Sequence, residues 1–304
     1  MAKRTYSIND NIFDNIDNQD KAYVLGLLYA DGCNYENRGV VKIDLIKNDL
    51  ELLENLKLFL NYNGEIKHYK QGIKIIDGSE YLCRDTCRLQ FTSRRISEKL
   101  AEYGCVANKS YIMTFPSEKI IYDKLLRHFI RGFMDGNGGI SYWVDNMNTG
   151  HKKFQVNFCG TTDMINTISK ILGDKFNCCP SITDRYKDRD NNNLQVNICG
   201  NLVVEKILDW LYDDANIYMQ RKYDKYIELK EEVKRVKNDT QLYGSARERK
   251  KVIRLSDLKT YDSLIDCARD NGFKGASTIC IRCKKAYDFM YLEEYRKEAI
   301  NGIR

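Results

Sequence analysis

The sequence predicts an α+β fold built twice over, followed by a smaller, mainly helical module. Three observations carry this reading. Two nine-residue stretches about a hundred residues apart, VLGLLYADG over 24–32 and IRGFMDGNG over 130–138, share one pattern of apolar, small and polar positions. The same order of strands and helices can be read after each of them. The last quarter then changes character, with 17 Lys and Arg against 12 Asp and Glu from Glu231 onward, which is most of the chain's net +6.

Each nine-residue stretch is read as a helix. Small residues stand four apart, Gly26 and Ala30 in one copy and Gly132 and Gly136 in the other. Side chains four apart share a helix face, so each helix has one face where backbone can meet backbone. A polar residue and a glycine follow, Asp31 with Gly32 and Asn137 with Gly138. The C-terminal end of a helix already carries partial negative charge, so a carboxylate at Asp31 calls for a cation beside it.

Behind the first motif, residues 40–46 alternate as a strand, 50–60 form an amphipathic helix, 66–70 and 88–92 are strands and 96–103 a helix. Behind the second, 154–159 is a strand, 164–172 a helix, 181–187 and 194–199 strands and 203–212 a helix. The halves span 1–120 and 121–230, each a βαββα run led by its motif helix. Residues 226–237 are charged and helical, and 231–251 form a linker into the tail at 252–304. There a short strand-like start precedes a helix at 263–270, a break at Gly272 and Gly275, and a helix at 277–285 carrying Arg282, Lys284 and Lys285. Helix, glycine turn and Ser-initiated basic helix are the outline of a helix-turn-helix.

Strand periodicity sorts the side chains by face. FQVNFCG and LQVNICG nearly repeat, setting Gln155 and Asn157, then Gln195 and Asn197, opposite an apolar face. Amides on a groove-sized sheet can pair bidentately with adenine edges. Lys42, Asp44, Arg88, Gln90 and Thr92 are the first half's counterparts, and Thr183, Arg185 and Lys187 extend the second's.

At 43% hydrophobic and 30% charged residues, with no long apolar run, the composition is that of a soluble protein without a membrane span. Eleven cysteines without a secretory leader fit reduced thiols. Cys280 and Cys283, or Cys83 and Cys87, have metal-like spacing without a second pair, so thiols rather than zinc are expected. No phosphate-binding G-x-x-x-x-G-K-[ST] loop is present. Tyr at 21 and Pro at 2 in an Asn/Lys/Ile-rich chain suggest an AT-rich coding sequence. The expected place is the cytoplasm of a bacterium or phage-infected host, or an organelle.

The paired motifs resemble LAGLIDADG, the signature of homing endonucleases, and the chain up to about Lys230 resembles a single-chain member with two copies. Gly26, Ala30, Asp31 and Gly32 match the first motif; Gly132, Asp135 and Gly138 match the second. The resemblance implies a pseudo-symmetric pair of αββαββα halves with antiparallel DNA-binding sheets. It further implies a monomer that hydrolyses long double-stranded DNA sites with Mg²⁺ or another divalent cation, as mobile-intron nucleases do. Metal-binding acids are implied at the motif's eighth position, Asp31 and Asn137. Lysines after the last helix of each half, Lys109 and Lys222, are implied to assist catalysis. The tail resembles the small DNA-binding modules appended to such nucleases.

Asn137 departs from the pattern. A neutral amide offers a metal one carbonyl oxygen without the charge that favours Mg²⁺. Asp135 cannot replace it, since two residues back on a helix is a rotation of roughly 200°. A strand-specific nickase, a chain that only binds, and a deliberately inactivated copy all remain open. The rival class is a non-catalytic DNA-binding regulator or an RNA-splicing maturase on the same scaffold.

Overall fold

The computed structural model describes residues 6–70, 72–76, 78–146, 150–184, 192–242, 251–273, 276–285 and 288–300. The chain forms two compact units, 1–234 and 235–304. Among the described residues no helix is long and apolar enough to cross a membrane.

The first unit begins with α1 (Gln19–Ala30), whose N-terminus is capped by Asn18 accepting from Lys21 N at 3.0 Å. There follow β1 (Gly32–Tyr35), β2 (Val40–Ile46), α2 (Leu50–Phe59), β3 (Lys67–Tyr69), β4 (Ile73–Ile76), β5 (Ser79–Leu82), β6 (Thr86–Thr92) and α3 (Arg94–Glu102). The second half runs α4 (Asp123–Asn137), β7 (Gly138–Asn146), β8 (His151–Gly160), α5 (Thr162–Phe176), β9 (Ser181–Asp184), β10 (Leu194–Cys199) and α6 (Asn201–Tyr212), and then α7 (Gln220–Leu242). Each half holds one four-stranded antiparallel sheet, in the order β1-β2-β6-β3 and β7-β8-β10-β9. The correspondence of the two orders is the duplication seen in three dimensions.

The structure adds to the expected βαββα run a strand directly after each motif helix, β1 and β7, which makes each half αββαββα. Both start at the motif's closing glycine, Gly32 and Gly138. Glycine has low strand propensity, so the sequence there reads as a helix end. The hairpin of β4 and β5 pairs Ile73 with Leu82 through Ile76 with Ser79 and has no counterpart among the described residues of the second half. The strand expected at 181–187 is β9 over Ser181–Asp184; Arg185 and Lys187 lie outside the described residues.

Both motif helices are buried on every side along their central turns. In α1 every residue from Ala22 to Tyr29 is buried, and in α4 every residue from His128 to Asp135. A helix apolar or buried all round belongs to a core, and these two form the centre of the unit. The sheets bury one face each: Val41, Ile43, Leu45, Cys87, Leu89 and Phe91 in the first half, and Phe154, Val156, Phe158, Val196 and Ile198 in the second. α2 covers the first face with Leu52, Leu53 and Leu56, and α5 and α6 the second with Ile165, Ile168, Val204 and Ile207. The opposite faces carry the polar side chains.

Within α4, Arg131 is fully buried; it donates to the Leu211 carbonyl at 2.9 Å, sits 2.8 Å from His128 Nδ1 and lies over the Tyr23 ring. Burial, then the Arg131 and Arg127 charges, push His128 from 6.5 down to about 4. The folded value lies below the unfolded one, so the contribution is intact above about pH 6.5 and is lost as pH falls through 4. Between those limits the native chain is expected to lose on the order of 3 kcal/mol more than His128→Gln. Urea unfolding of both proteins at several pH values measures the gap; parallel curves would contradict it.

The second unit was expected to be mainly helical. It comprises β11 (Val252–Arg254), β12 (Thr260–Tyr261), α8 (Leu264–Asp270), α9 (Ala276–Lys284), β13 (Phe289–Tyr291) and α10 (Leu292–Ile300). The strands form a sheet in the order β12-β11-β13. Strands of two or three residues are too short to show alternation. Val252, Tyr261, Phe289 and Tyr291 from the sheet pack with Cys267, Ala268, Ile279 and Cys283 from α8 and α9. Ser263 caps α8 by accepting from Asp266 N at 3.2 Å, and Gly272 at φ 70° follows its end.

Candidate catalytic centre and nucleic-acid interface

α1 and α4 cross at their small-residue faces. A side chain at Gly26 would fall on the Phe129 carbonyl oxygen, and one at Gly132 on the Tyr23 carbonyl oxygen. At the C-terminal end of the crossing, a Cβ on Gly136 would collide with Ala30 Cβ and lie 3.0 Å from Asp31 Oδ2. The end groups of the two motifs therefore meet: the Asp31 carboxylate rests against the residue before Asn137.

Asp31 closes α1, its N–H donating to the Leu27 carbonyl at 2.9 Å. Burial raises its carboxyl from 3.8 to about 6, against the pull of Lys222, Lys109 and Arg221, which all lower it. Asn137 is the last residue of α4 and lines a cavity of about 180 Å³ with Tyr29, Ala30, Ser110, Cys159 and Asn193. The side chains that line this cavity with it are uncharged. One motif end thus has a carboxylate and the other an amide.

Both lysines are buried beside these helix ends. Lys109 Nζ donates to the Gly32 carbonyl. Lys222 Nζ donates to the carbonyls of Asp135 at 2.6 Å and Gly138 at 2.8 Å, and also to that of Met134. Terminal helical carbonyls lack partners within the helix, and an ammonium there also suits the macrodipole. Burial lowers Lys222 from 10.5 to about 8, while Asp135 and Asp31 pull it upward. The lysine positions repeat across the halves, as the sequence spacing has it; their hold on the helix ends comes from tertiary packing.

Asp135 points away from the centre. Fully buried, it accepts from Tyr23 OH at 2.7 Å, Tyr212 OH at 3.1 Å and Met219 N at 2.8 Å. Desolvation raises its carboxyl, opposed by Lys222 and these donors. Met219 is three residues before Lys222, so Asp135 fixes the segment that carries the lysine. The sequence reading missed a further pair. Arg221 Nε donates to both oxygens of buried Asp49, at 2.9 and 3.1 Å, linking the second half to the turn before α2. Its only sequence signal is an acid at a helix start and an Arg beside Lys222.

On the first sheet, Lys42 and Asp44 of β2 face Gln90 and Arg88 of β6, with Thr92 further along. Arg88 grips Asp44 through Nε at 2.6 Å and Nη2 at 3.1 Å. On the second, Gln155 and Asn157 of β8 pair with Cys199 and Asn197 of β10, and Gln195 with Cys159 and Thr183. In the second unit, Arg282 donates to Asp288 and lies over Phe273, and Lys285 is exposed. Lys284 belongs to α9.

No protein-family profile matches the sequence. No curated protein matches it either. Among solved structures, the I-LtrWI LAGLIDADG homing endonuclease bound to target DNA is similar at 12% identity, over 78% of this chain and 94% of that one, with TM-score 0.46. The I-SmaMI LAGLIDADG homing endonuclease bound to cleaved DNA is similar at 14%, over 76% and 93%, with TM-score 0.46. The LAGLIDADG meganuclease I-AabMI bound to uncleaved DNA is similar at 16%, over 76% and 96%, with TM-score 0.46. Two motif helices crossed at their small-residue faces, each leading into its own four-stranded antiparallel sheet, give this chain a duplicated αββαββα fold.

Proposed function

We propose that the chain is a site-specific endonuclease of the homing type, a monomer that binds a long double-stranded DNA site across its two sheets. The observation that carries this is the meeting of Asp31 with the end of the second motif helix, flanked by two buried lysines. Mg²⁺ is commonly held by one or two carboxylates together with substrate phosphates. Asp31 fits that requirement, and Asn137 could add only a carbonyl oxygen. A divalent cation held there would supply an activated water and neutralise charge on the phosphate oxygens. Asp31 orients at one helix end, while Lys109 and Lys222 keep positive charge close to an incoming phosphate.

Because Asn137 brings no charge, the two centres are unequal, and nicking of one strand is the activity the residues favour. The same amide favours a second reading, a non-catalytic DNA-binding regulator or RNA-splicing maturase. In either case the second unit, with Arg282 and Lys284 on α9 and Lys285 just after it, would extend the footprint by linkage.

A supercoiled plasmid carrying a selected site separates the readings. Nicked circles that form with Mg²⁺, disappear with EDTA and disappear with Asp31→Asn are expected. Tight binding of the plasmid site with no nicking would favour the binder.

A further inference from the structure

The polar faces of the two sheets are built from different chemistry, and in each the side chains are held in place before any ligand arrives. In the first sheet Arg88 is fixed from two sides. Asp44 takes its Nε and Nη2 edge, and the guanidinium carbon lies 4.9 Å from the centroid of the Tyr69 ring. A guanidinium has five N–H donors in a rigid fork, so this grip on one edge leaves the end-on pair of N–H groups pointing onward. Lys42, with Nζ 3.7 Å from Asp44, and Gln90 stand beside it.

In the second sheet the described positions of β8 and β10 around Asn197 carry amides and thiols instead. Asn197 Oδ1 accepts from Gln155 Nε2 at 3.2 Å and from Gln195 Nε2 at 2.5 Å. The oxygens of those glutamines accept from thiols, Gln155 from Cys199 at 3.2 Å and Gln195 from Cys159 at 3.3 Å. An amide has two N–H donors and two lone pairs. Each glutamine thus spends one donor and one acceptor within the sheet and keeps one of each, on an amide whose orientation is fixed. Asn157 lies over Gly139, where a Cβ would come 3.2 Å from its amide atoms, and has no hydrogen-bonded side-chain partner among the described residues. Asn197, whose oxygen accepts twice and whose Nδ2 donates to Thr183 Oγ1 at 3.4 Å, is the hub of the row, while each glutamine presents one donor beside one acceptor.

These arrangements match different base edges. Guanine shows two adjacent acceptors, O6 and N7, to the major groove, which suit the end of an Arg fork; adenine shows the N6 donor beside the N7 acceptor, which suits an Asn or Gln amide. Resting on the duplex-DNA reading above, we propose that the two sheets read half-sites of different composition. The first sheet is centred on a G·C pair through Arg88, and the second on A·T pairs through Gln155, Asn157 and Gln195, with Asn197 holding the two glutamines in place. Asp44 and Tyr69 act as positioning residues for Arg88, and the Cys159 and Cys199 thiols do the same for the two glutamines.

Selection of duplexes from a randomised library by the full chain, in the absence of divalent cation, tests this with Arg88→Lys and Gln195→Leu alongside. The expected consensus has guanine in one half-site and adenines in the other. Arg88→Lys keeps the charge but not the fork, so it should relax preference about tenfold or more at the guanine alone. Gln195→Leu should relax preference to a similar degree at an adenine in the opposite half-site alone. Two variants acting in the same half-site, or binding tightly with unchanged base preference, would overturn the inference and leave the DNA reading standing. A native chain that selects no duplex would overturn both.

Discussion

Gly132→Ala is expected to destroy the native fold, and Gly26→Ala to come close. A methyl group at Gly132 would occupy the position of the Tyr23 carbonyl oxygen and lie 2.8 Å from Leu27 N; one at Gly26 would meet the Phe129 carbonyl and lie 2.9 Å from Phe133 N. The obstacles are backbone atoms of the opposite helix, which no rotamer change can move aside. The helices must separate, and with them the buried runs Ala22–Tyr29 and His128–Asp135 that form the core. Ordinary overpacking costs about 1–3 kcal/mol. Here backbone meets backbone at the centre, so a loss above about 4 kcal/mol is expected, a large part of a typical domain's stability. Soluble yield and urea midpoints measure it. Gly72→Ala, where nothing lies within 4 Å of the added methyl, is the control that should leave the midpoint in place.

Asp135→Ala is expected to be nearly as damaging. The carboxylate is the acceptor for Tyr23 OH, Tyr212 OH and Met219 N in a fully buried setting. It also stands close to two buried positive groups, Lys222 and Arg131. Its removal strands three donors and leaves both charges without their nearest counterpart, a loss of about 3–5 kcal/mol. Asp135→Asn keeps an acceptor oxygen for part of that set and should recover a measurable share. Denaturant unfolding of both variants decides it; equal loss from Ala and Asn would show that the acceptor role had been overstated, and no loss from Ala would remove it.

The fold was legible where burial on one face leaves a strict alternation. β2 and β10 run over the residues the alternation marks, 40–46 and 194–199, because one sheet face is core in both. β1 and β7 were hidden by the glycines that open them, and the strands of the second unit by their shortness. In the candidate centre, the approach of Asp31 to the end of the second motif helix could be anticipated from helix geometry and small-residue spacing. The Arg221–Asp49 ion pair could not, since it joins residues 172 positions apart. The same holds for the three donors around Asp135 and the carbonyls held by Lys222, which belong to packing between elements rather than to any local pattern. The amide row on the second sheet was visible as a repeat, whereas the thiol contacts that orient it needed the strand register.

The inequality of the two motif ends is the core of the functional account. Strand-resolved cleavage of a selected duplex, each strand labelled separately in Mg²⁺, tests it most directly. The native chain should cut one strand much faster than the other. Asn137→Asp should raise the slow strand's rate by tenfold or more, as a restored charge worth about 1.4 kcal/mol in the transition state would do. Equal cutting of both strands by the native chain, unchanged in Asn137→Asp, would contradict it.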